Sequence, residues 1–482
     1  MKATLLRTIV MTGLMTIFSG CEKLPEIIEE IDYQQTNAVL RTATFNIEYN
    51  NASSTSTPWA QRKHAVKQLF TDYAFDIAGV QEPYWSQLDD LADLLPAYAY
   101  TGHTVMGSTT ADQQLTVGIL YKPERLTLLD SGMFWLSETP DVLSKGWNNS
   151  QYRICQWGKF KHKSTQRIFY YFSIHLDFDT AAYAPTLQLI EDRITQVATG
   201  YPVILGGDFN FNQTSPTYQD VVTDGFFEDT HLYAEELINP FQGTFTNYGS
   251  GLSSTNRIDH LFLANCRNIH IVKRKVITDS YAGVYPSDHA PVMAELVLPP
   301  SCSAVPTQQD TIREDFKRAV IKGLYPRGNV IAPSGLWLFD GALVYHQEPT
   351  DYRPMAPRLI GVNERGTPDL LGPGFIETEF TLPGLDQVDV DFVSMPAPYD
   401  VGPDFALEIQ VSTDGGDSWE SLGMEHAERN QIATASFRPE IPASEPVSVK
   451  IINRSPQIDT DLVRGNRINI LGVQFIVPHS SN

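Results

Sequence analysis

Apolar and polar positions change rhythm several times along the chain. Val39 to Ile47, Ile77 to Val80, Thr116 to Tyr121, Ile168 to Ile174, Val203 to Leu205 and Ile258 to Leu263 are short apolar runs that predict strands. Between them, Pro58 to Tyr73 and Leu187 to Ala198 carry apolar residues at helical spacing and predict helices. The pattern changes near residue 300, where Pro299, Pro300, Ser301, Cys302, Ser303 and Pro306 form a linker-like stretch, 299–307. Beyond it, short alternating runs broken by Gly, Pro and Asp predict an all-β domain over 308–482: Gly335 to Ala342, Leu407 to Val411 and Arg467 to Ile470. No internal repeat is evident.

The N-terminus sets the compartment. Lys2 and Arg7 precede an apolar run from Ile9 to Phe18, too short to span a bilayer, and small Ser19 and Gly20 lead into Cys21. Residues 1–20 resemble a bacterial lipoprotein signal, which implies lipidation of Cys21. The protein is then expected to be exported and membrane-anchored, facing the periplasm or cell surface, with 21–37 as an acidic tether. Phe18 departs from the small-aliphatic preference at its position and leaves ordinary secretion as the alternative.

At 482 residues and 42% hydrophobic composition the chain has material for two or three cores, and global disorder is excluded. Its 35 Lys and Arg against 57 Asp and Glu give a net charge of -22, which argues against salt-driven DNA binding as the default.

The candidate chemistry lies before residue 300, where polar residues interrupt apolar strands at their ends. The segments are Phe45-Asn46-Ile47-Glu48, Val80-Gln81-Glu82-Pro83, Ser173-Ile174-His175-Leu176-Asp177, Gly206-Gly207-Asp208-Phe209-Asn210, Arg257-Ile258-Asp259-His260 and Ser287-Asp288-His289-Ala290-Pro291. Any one of them is ordinarily a turn entering solvent. Together they supply acids for a hard cation, histidines for proton transfer and asparagines for phosphate oxygens.

In this order the segments resemble the endonuclease/exonuclease/phosphatase superfamily, the deoxyribonuclease I-like hydrolases, over residues 38–298. Phe134 to Pro140, Lys145 to Trp147 and Arg153 to Cys155 extend the resemblance to a secreted bacterial branch related to deadenylase-like hydrolases. The resemblance implies an α+β protein: a four-layer α/β/β/α sandwich of two packed mixed sheets flanked by helices, with the site where strand termini converge, followed by the jelly-roll-like β-sandwich. It also implies that Glu82 is the principal Mg2+ ligand, assisted by Asn46 and Asp288, with Mn2+ as a substitute. His289 is then the general base, or the partner that orients the attacking water, and Asp259 holds its imidazole. Asp208 positions the water, Asn210 and His175 bind the phosphoryl oxygens, and Arg153 is a phosphate fork. The branch usually has a second His three residues after the first; here the position is Phe178. Glu48 and Gln81 are left out of this set, and Cys155, His231 and His260 read as structural.

The Asp259–His289 pairing requires the starts of two strands to lie side by side. Running on, they would deliver Cys266 and Cys302 to the far end of the sandwich, so these two are expected to form a disulfide, with Cys155 free in the core. Ser412 to Trp419 resembles the Asp-box hairpin of sialidases and predicts a turn.

The expected function is hydrolysis of a phosphodiester or phosphomonoester by metal-assisted attack of water. The substrate would be a nucleotide, a short nucleic acid, or a lipid or sugar phosphate, with Trp135 and Trp147 either a stacking wall or core and loop packing. A sphingomyelinase-type lipid or sugar phosphodiesterase is the alternative enzyme, and a catalytically silent glycan-binding surface protein the alternative of another class. The C-terminal domain is a candidate glycan binder, and the chain is expected to be monomeric.

Overall fold

The computed structural model describes residues 38–50, 57–110, 114–147, 149–302, 311–346, 351, 353–361, 373–394, 404–456 and 466–478. The expected signal and tether, Cys21 included, and most of the expected linker lie outside the described residues.

Thirteen strands build two mixed sheets. They are β1 (Val39–Asn46), β2 (Ile77–Tyr84), β3 (Ala99–Thr104), β4 (Leu115–Tyr121), β5 (Leu126–Trp135), β6 (Ile154–His162), β7 (Ile168–His175), β8 (Val203–Asp208), β9 (Glu228–Asp229), β10 (Glu236–Ile238), β11 (Asp259–Ala264), β12 (His270–Val276) and β13 (Val292–Val297). One sheet has the order β10-β12-β13-β1-β2-β4-β3 and the other β5-β6-β7-β8-β11-β9. Helices α1 (Trp59–Tyr73) and α2 (Trp85–Leu94) cover the first sheet, and α3 (Tyr183–Ala198) and α4 (Pro216–Thr223) cover the second.

The strands read as continuous apolar runs because both of their faces are buried. On β7, Phe169 and Tyr171 face the space between the sheets, whereas Tyr170, Phe172 and Ile174 pack under α3 with Leu187, Ile190 and Ile194. On β8, Ile204 faces inward and Val203 and Leu205 outward, and β11 repeats the division with Leu261 and Leu263 against Phe262. Val66, Leu69 and Phe70 of α1 close the other outer layer on Ala43, Phe45, Ala78 and Val80. This alternation is the expected four-layer sandwich.

The sheets approach closely near the site. The Tyr171 hydroxyl crosses between them, donating to the Ala43 carbonyl at 2.6 Å and accepting the Gly79 N–H at 3.0 Å. A Cβ at Gly206 would lie 2.4 Å from that hydroxyl, and one at Gly207 2.4 Å from the Ile174 carbonyl oxygen. Glycine at both positions is therefore a packing requirement.

Helix α3 starts four residues before the expected Leu187. A 3-10 turn at Thr180–Ala182, with the Asp179 side chain accepting the Ala181 N–H, launches it, and Pro185 sits in its first turn, where no N–H is missed. The Cys266–Cys302 disulfide forms as expected, and Cys155 is free and buried.

After residue 310 every strand pairing among the described residues is antiparallel, in two further sheets. One contains Gln387–Ser394 and Ile468–Ile476, the other Asp404–Ser412 and Ile441–Asn453, and between them lies a wholly apolar cluster around Trp337, Phe339, Val390, Leu407, Ile451 and Phe475. This is the expected β-sandwich. The Asp-box segment is a turn: Asp414 Oδ1 accepts from Ser412 Oγ and from the Ser418 N–H, with Gly415 and Gly416 at φ 78° and 96°. Val320, Ile331 and Leu336 pack onto the α3 side of the first sandwich, so the two regions share a seam within the unit Asn37–Asn482.

Candidate active site

Register assembles the site. Asn46, the last residue of β1, pairs with Gln81 on β2, so Glu82 follows beside it. In the other sheet Asp208 is flanked by His175 on parallel β7 and by Asp259 on antiparallel β11, all three in one row. His289 precedes β13 in the first sheet and reaches across to Asp259. The two strand starts thus face each other from different sheets, rather than lying side by side in one.

Asn46 Nδ2 donates to Glu82 Oε1 at 2.9 Å and to Asp208 Oδ2 at 3.0 Å, and its Oδ1 accepts the Glu48 N–H at 3.0 Å. In this arrangement Asn46 links the two acids and spends its oxygen on backbone. His175 Nε2 lies 3.6 Å from Asp208 Oδ2 and 3.9 Å from Glu82 Oε1. His289 Nδ1 is 2.9 Å from Asp259 Oδ2, and its Nε2 is 3.8 Å from Asp208 Oδ2. Since a carboxylate only accepts, Nδ1 carries a proton, and Nε2 faces Asp208.

Two groups of ligand atoms converge within 4.8 Å: Glu82, His175 and Asp208, and Asp208, Asp259 and His289. Asp208 belongs to both. Asp288 stands outside them, its Oδ1 accepting from Ser287 Oγ at 3.1 Å, although its charge acts on Glu82 and Glu48. Asn210 turns at φ 56°, donates its N–H to Asp208 Oδ1 and uses one amide hydrogen on the Leu176 carbonyl at 2.9 Å, leaving the other for a ligand. Arg153 is buried 3.9 Å from Asp177 beneath the Phe178 ring, and its Nε has no hydrogen-bond partner among the described residues.

Burial raises the Asp208 carboxyl pKa to about 7, with the Asp259 charge adding to it, and burial likewise raises Glu82. Burial, with the charges of Arg153 and His289, keeps His175 neutral. At His289 burial lowers the pKa, but the Asp259 and Asp208 carboxylates outweigh it and hold it well above the usual value. Arg153 and His289 offset only part of this acidity, since burial still holds Glu82 and Asp208 raised, and the carboxylate oxygens fit a hard divalent cation.

Glu48 and Arg62 emerge as part of the frame. Arg62 interrupts the buried stripe of α1, fully buried, and donates to the carbonyls of Ile47, Glu48, Tyr49, Thr57 and Pro286. It thereby ties the loop after β1 to the loop that carries Asp288 and His289. A charged residue on an otherwise apolar helical stripe was the available signal. Glu48, with a pKa near 7 through burial, pairs with Arg62 at 3.1 Å and accepts the Tyr248 hydroxyl. Gln81 is a core residue bonded to Thr44 and Ser173. His231 and His260 lie in the core, away from the convergent row.

Trp135 donates its Nε1–H to the Val105 carbonyl and packs under Gly107, so it is a loop-packing residue. Trp147, at φ 45°, has its N–H on the Glu138 carboxylate. The exposed aromatic rings beside the site are Phe178, 71% exposed, and Phe245, 44% exposed and edge-on to His289.

Residues 43–289 match the family model described as Endonuclease/Exonuclease/phosphatase family. Among solved structures, a mannosyl-6-phosphatase of Bacteroides thetaiotaomicron is 34% identical, with a TM-score of 0.51, covering 54% of this chain and 100% of its own. A family protein of the same organism is 33% identical with a TM-score of 0.51, covering 54% of this chain and 95% of its own. An uncharacterized protein of Acanthamoeba polyphaga mimivirus is 26% identical over 251 residues, 49% of this chain and 91% of that protein. Fold, convergent acid and histidine groups and these matches agree: the chain belongs to the endonuclease/exonuclease/phosphatase family and is an enzyme that hydrolyses phosphate esters.

Proposed function

We propose that the protein is an exported, Mg2+-dependent phosphatase acting on a compact sugar phosphate, with Asp259–His289 and Asp208 handling the attacking water. The observation that carries the reading is His289, its Nδ1 on Asp259 and its Nε2 facing Asp208 at 3.8 Å. Glu82 would hold the cation, with Asn46 and Asp288 beside it, and Mg2+ when bound supplies positive charge to the phosphoryl oxygens; Mn2+ would substitute.

Asp208 and His289 Nε2 orient the water, and Nε2 takes its proton as the water oxygen bonds to phosphorus and the bond from phosphorus to the sugar oxygen breaks, the departing alkoxide taking a proton from solvent. Asp259 stabilises the imidazolium that results. The spare Asn210 amide hydrogen and neutral His175 bind phosphoryl oxygens, and Arg153 adds one buried positive charge.

The sugar phosphate is favoured by the mannosyl-6-phosphatase at 34% identity and by the chain's net charge of -22, which opposes long polyanions. Phe178 and Phe245 offer the substrate's organic part an apolar edge, replacing the expected wall of Trp135 and Trp147. Acylation of Cys21 would tether the enzyme to a membrane, and the β-sandwich would serve as an accessory, glycan-binding domain.

The test is turnover with Mg2+ and with EDTA on mannose 6-phosphate glycans, phosphodiesters, phospholipids and plasmid DNA. Mg2+-dependent phosphate release from the sugar phosphate is expected. Plasmid nicking that persists as salt is raised would overturn the substrate class, and EDTA-resistant turnover the mechanism. Membrane partitioning lost in Cys21→Ser, with Cys21 as the mature N-terminus by mass spectrometry, tests the anchor.

A further inference from the structure

The core holds a second cluster of charged groups that the phosphoesterase chemistry does not use. It lies at the seam with the β-sandwich, where a cavity of about 10 Å3 is lined by Gln213, His231, Phe241, Thr255 and Arg257 on one side and residues 319–321 on the other. Arg257 is 3% exposed, His231 2% and Arg274, on β12, 0%. Nε and Nη2 of Arg257, all three guanidinium nitrogens of Arg274 and Nδ1 of His231 have no hydrogen-bond partner among the described residues. Buried guanidinium groups are almost always paired, so this many orphan polar atoms require an acceptor that the described residues do not supply.

Charge decides what kind. The short helix Thr230–Tyr233, which carries His231, packs against β12, which carries Arg274, and burial first, then the Arg257 charge, lowers the Arg274 pKa to about 10, still a charged guanidinium. Burial and the same two arginines keep His231 neutral. The nearby acid is Asp229, whose Oδ2 already accepts the Tyr218 hydroxyl at 2.5 Å and whose Oδ1 accepts the backbone N–H of His231 at 2.9 Å. Two cations against one carboxylate leave one positive charge uncompensated in a region closed to solvent. Size excludes a phosphate or carboxylate ligand, since about 10 Å3 of this kind of space holds one water-sized particle.

We propose that this cavity is a binding site for one halide-sized monovalent anion, chloride in solution, held by Arg257 and the His231 Nδ1–H with the Arg274 charge behind them. The anion neutralises the cluster and fills the joint between catalytic sandwich and accessory domain, acting on stability rather than on the reaction.

The experiment uses the full chain. Crystals grown in bromide, with data collected at the bromine edge, should show an anomalous peak between Arg257 and His231. Replacing gluconate by chloride at constant ionic strength should raise Tm by about 2–5 °C, saturating with concentration. Arg257→Met should abolish that anion-specific rise. If the variant does not fold, the two wild-type measurements decide alone. A water at that position without anomalous signal, together with a Tm that follows ionic strength regardless of the anion, overturns the proposal. A bromide peak without anion-specific stabilisation is an adventitious ion only and overturns it equally.

Discussion

Buried polar side chains do opposite things in the two sandwiches. In the catalytic one, Asn46, Glu82, His175, Asp208, Asp259 and His289 hydrogen-bond or approach one another at the strand ends. In the C-terminal one, buried polar groups such as Asn453 and Glu314 serve backbone: Asn453 Nδ2 donates to the carbonyls of Leu359 and Asn466, and its Oδ1 accepts from Ser455. Glu314 accepts the N–H groups of Phe316 and Ser334. Groups that cap backbone stabilise a fold, whereas a set of acids and imidazoles facing one another costs stability and is useful only for chemistry. The contrast locates the reaction more sharply than burial alone.

The largest effect expected from this contrast is at His289. His289→Ala should lower kcat by roughly two to four orders of magnitude while Tm stays within a few degrees or rises. A variant at full rate, assayed under saturating Mg2+, would remove His289 from the mechanism.

Asp259→Asn tests the coupling. The Asp259 carboxylate raises the His289 pKa, so removing its charge lowers that pKa, and the acid limb of the kcat/KM profile should move to lower pH while the plateau falls. An acid limb that stays in place or moves upward would show that another group titrates there.

Asn453→Ala inverts the pattern. It leaves two buried carbonyls unpaired and should cost about 2–4 kcal/mol in denaturant unfolding, with kcat of the folded fraction unchanged. A kcat loss beyond twofold would contradict the division of labour between the two sandwiches.

The smallest effect is at Cys155. Burial holds its thiol well above the usual pKa, so iodoacetamide at pH 8 should leave it unmodified in the native protein and label it after denaturation. Native labelling, read by mass spectrometry, would mean that the α3 layer opens.

Much of this was legible in the linear chain. Strand ends such as Gly207-Asp208-Phe209-Asn210 combine an apolar run, a close-approach glycine and an acid, a local signature that survives without coordinates. Local rules also predicted α1, the Asp-box turn and the change to antiparallel sheets, because turn chemistry and side-chain periodicity act over a few residues. They placed the start of α3 too late, since the 3-10 turn and its Asp179 cap lie outside the apolar periodicity.

Tertiary structure alone decided the rest. That Asp208 stands between His175 and Asp259 is a matter of register between strands distant in sequence, and that His289 meets Asp259 depends on two different sheets facing each other. Arg62 is one charge among the residues of α1 and is the clamp on the loops around the site only because the packed sheet brings those carbonyls to it. Trp135 could stack or pack in sequence, and the fold makes it packing for Gly107, because an indole takes the hydrogen-bond partner its burial provides. Sequence by itself determined which chemistry was present and which strands would carry it. Distances, protonation and the uncompensated charge around Arg257 and Arg274 arose from folding, since solvation and pairing of a charge depend on neighbours that only the closed sandwich supplies.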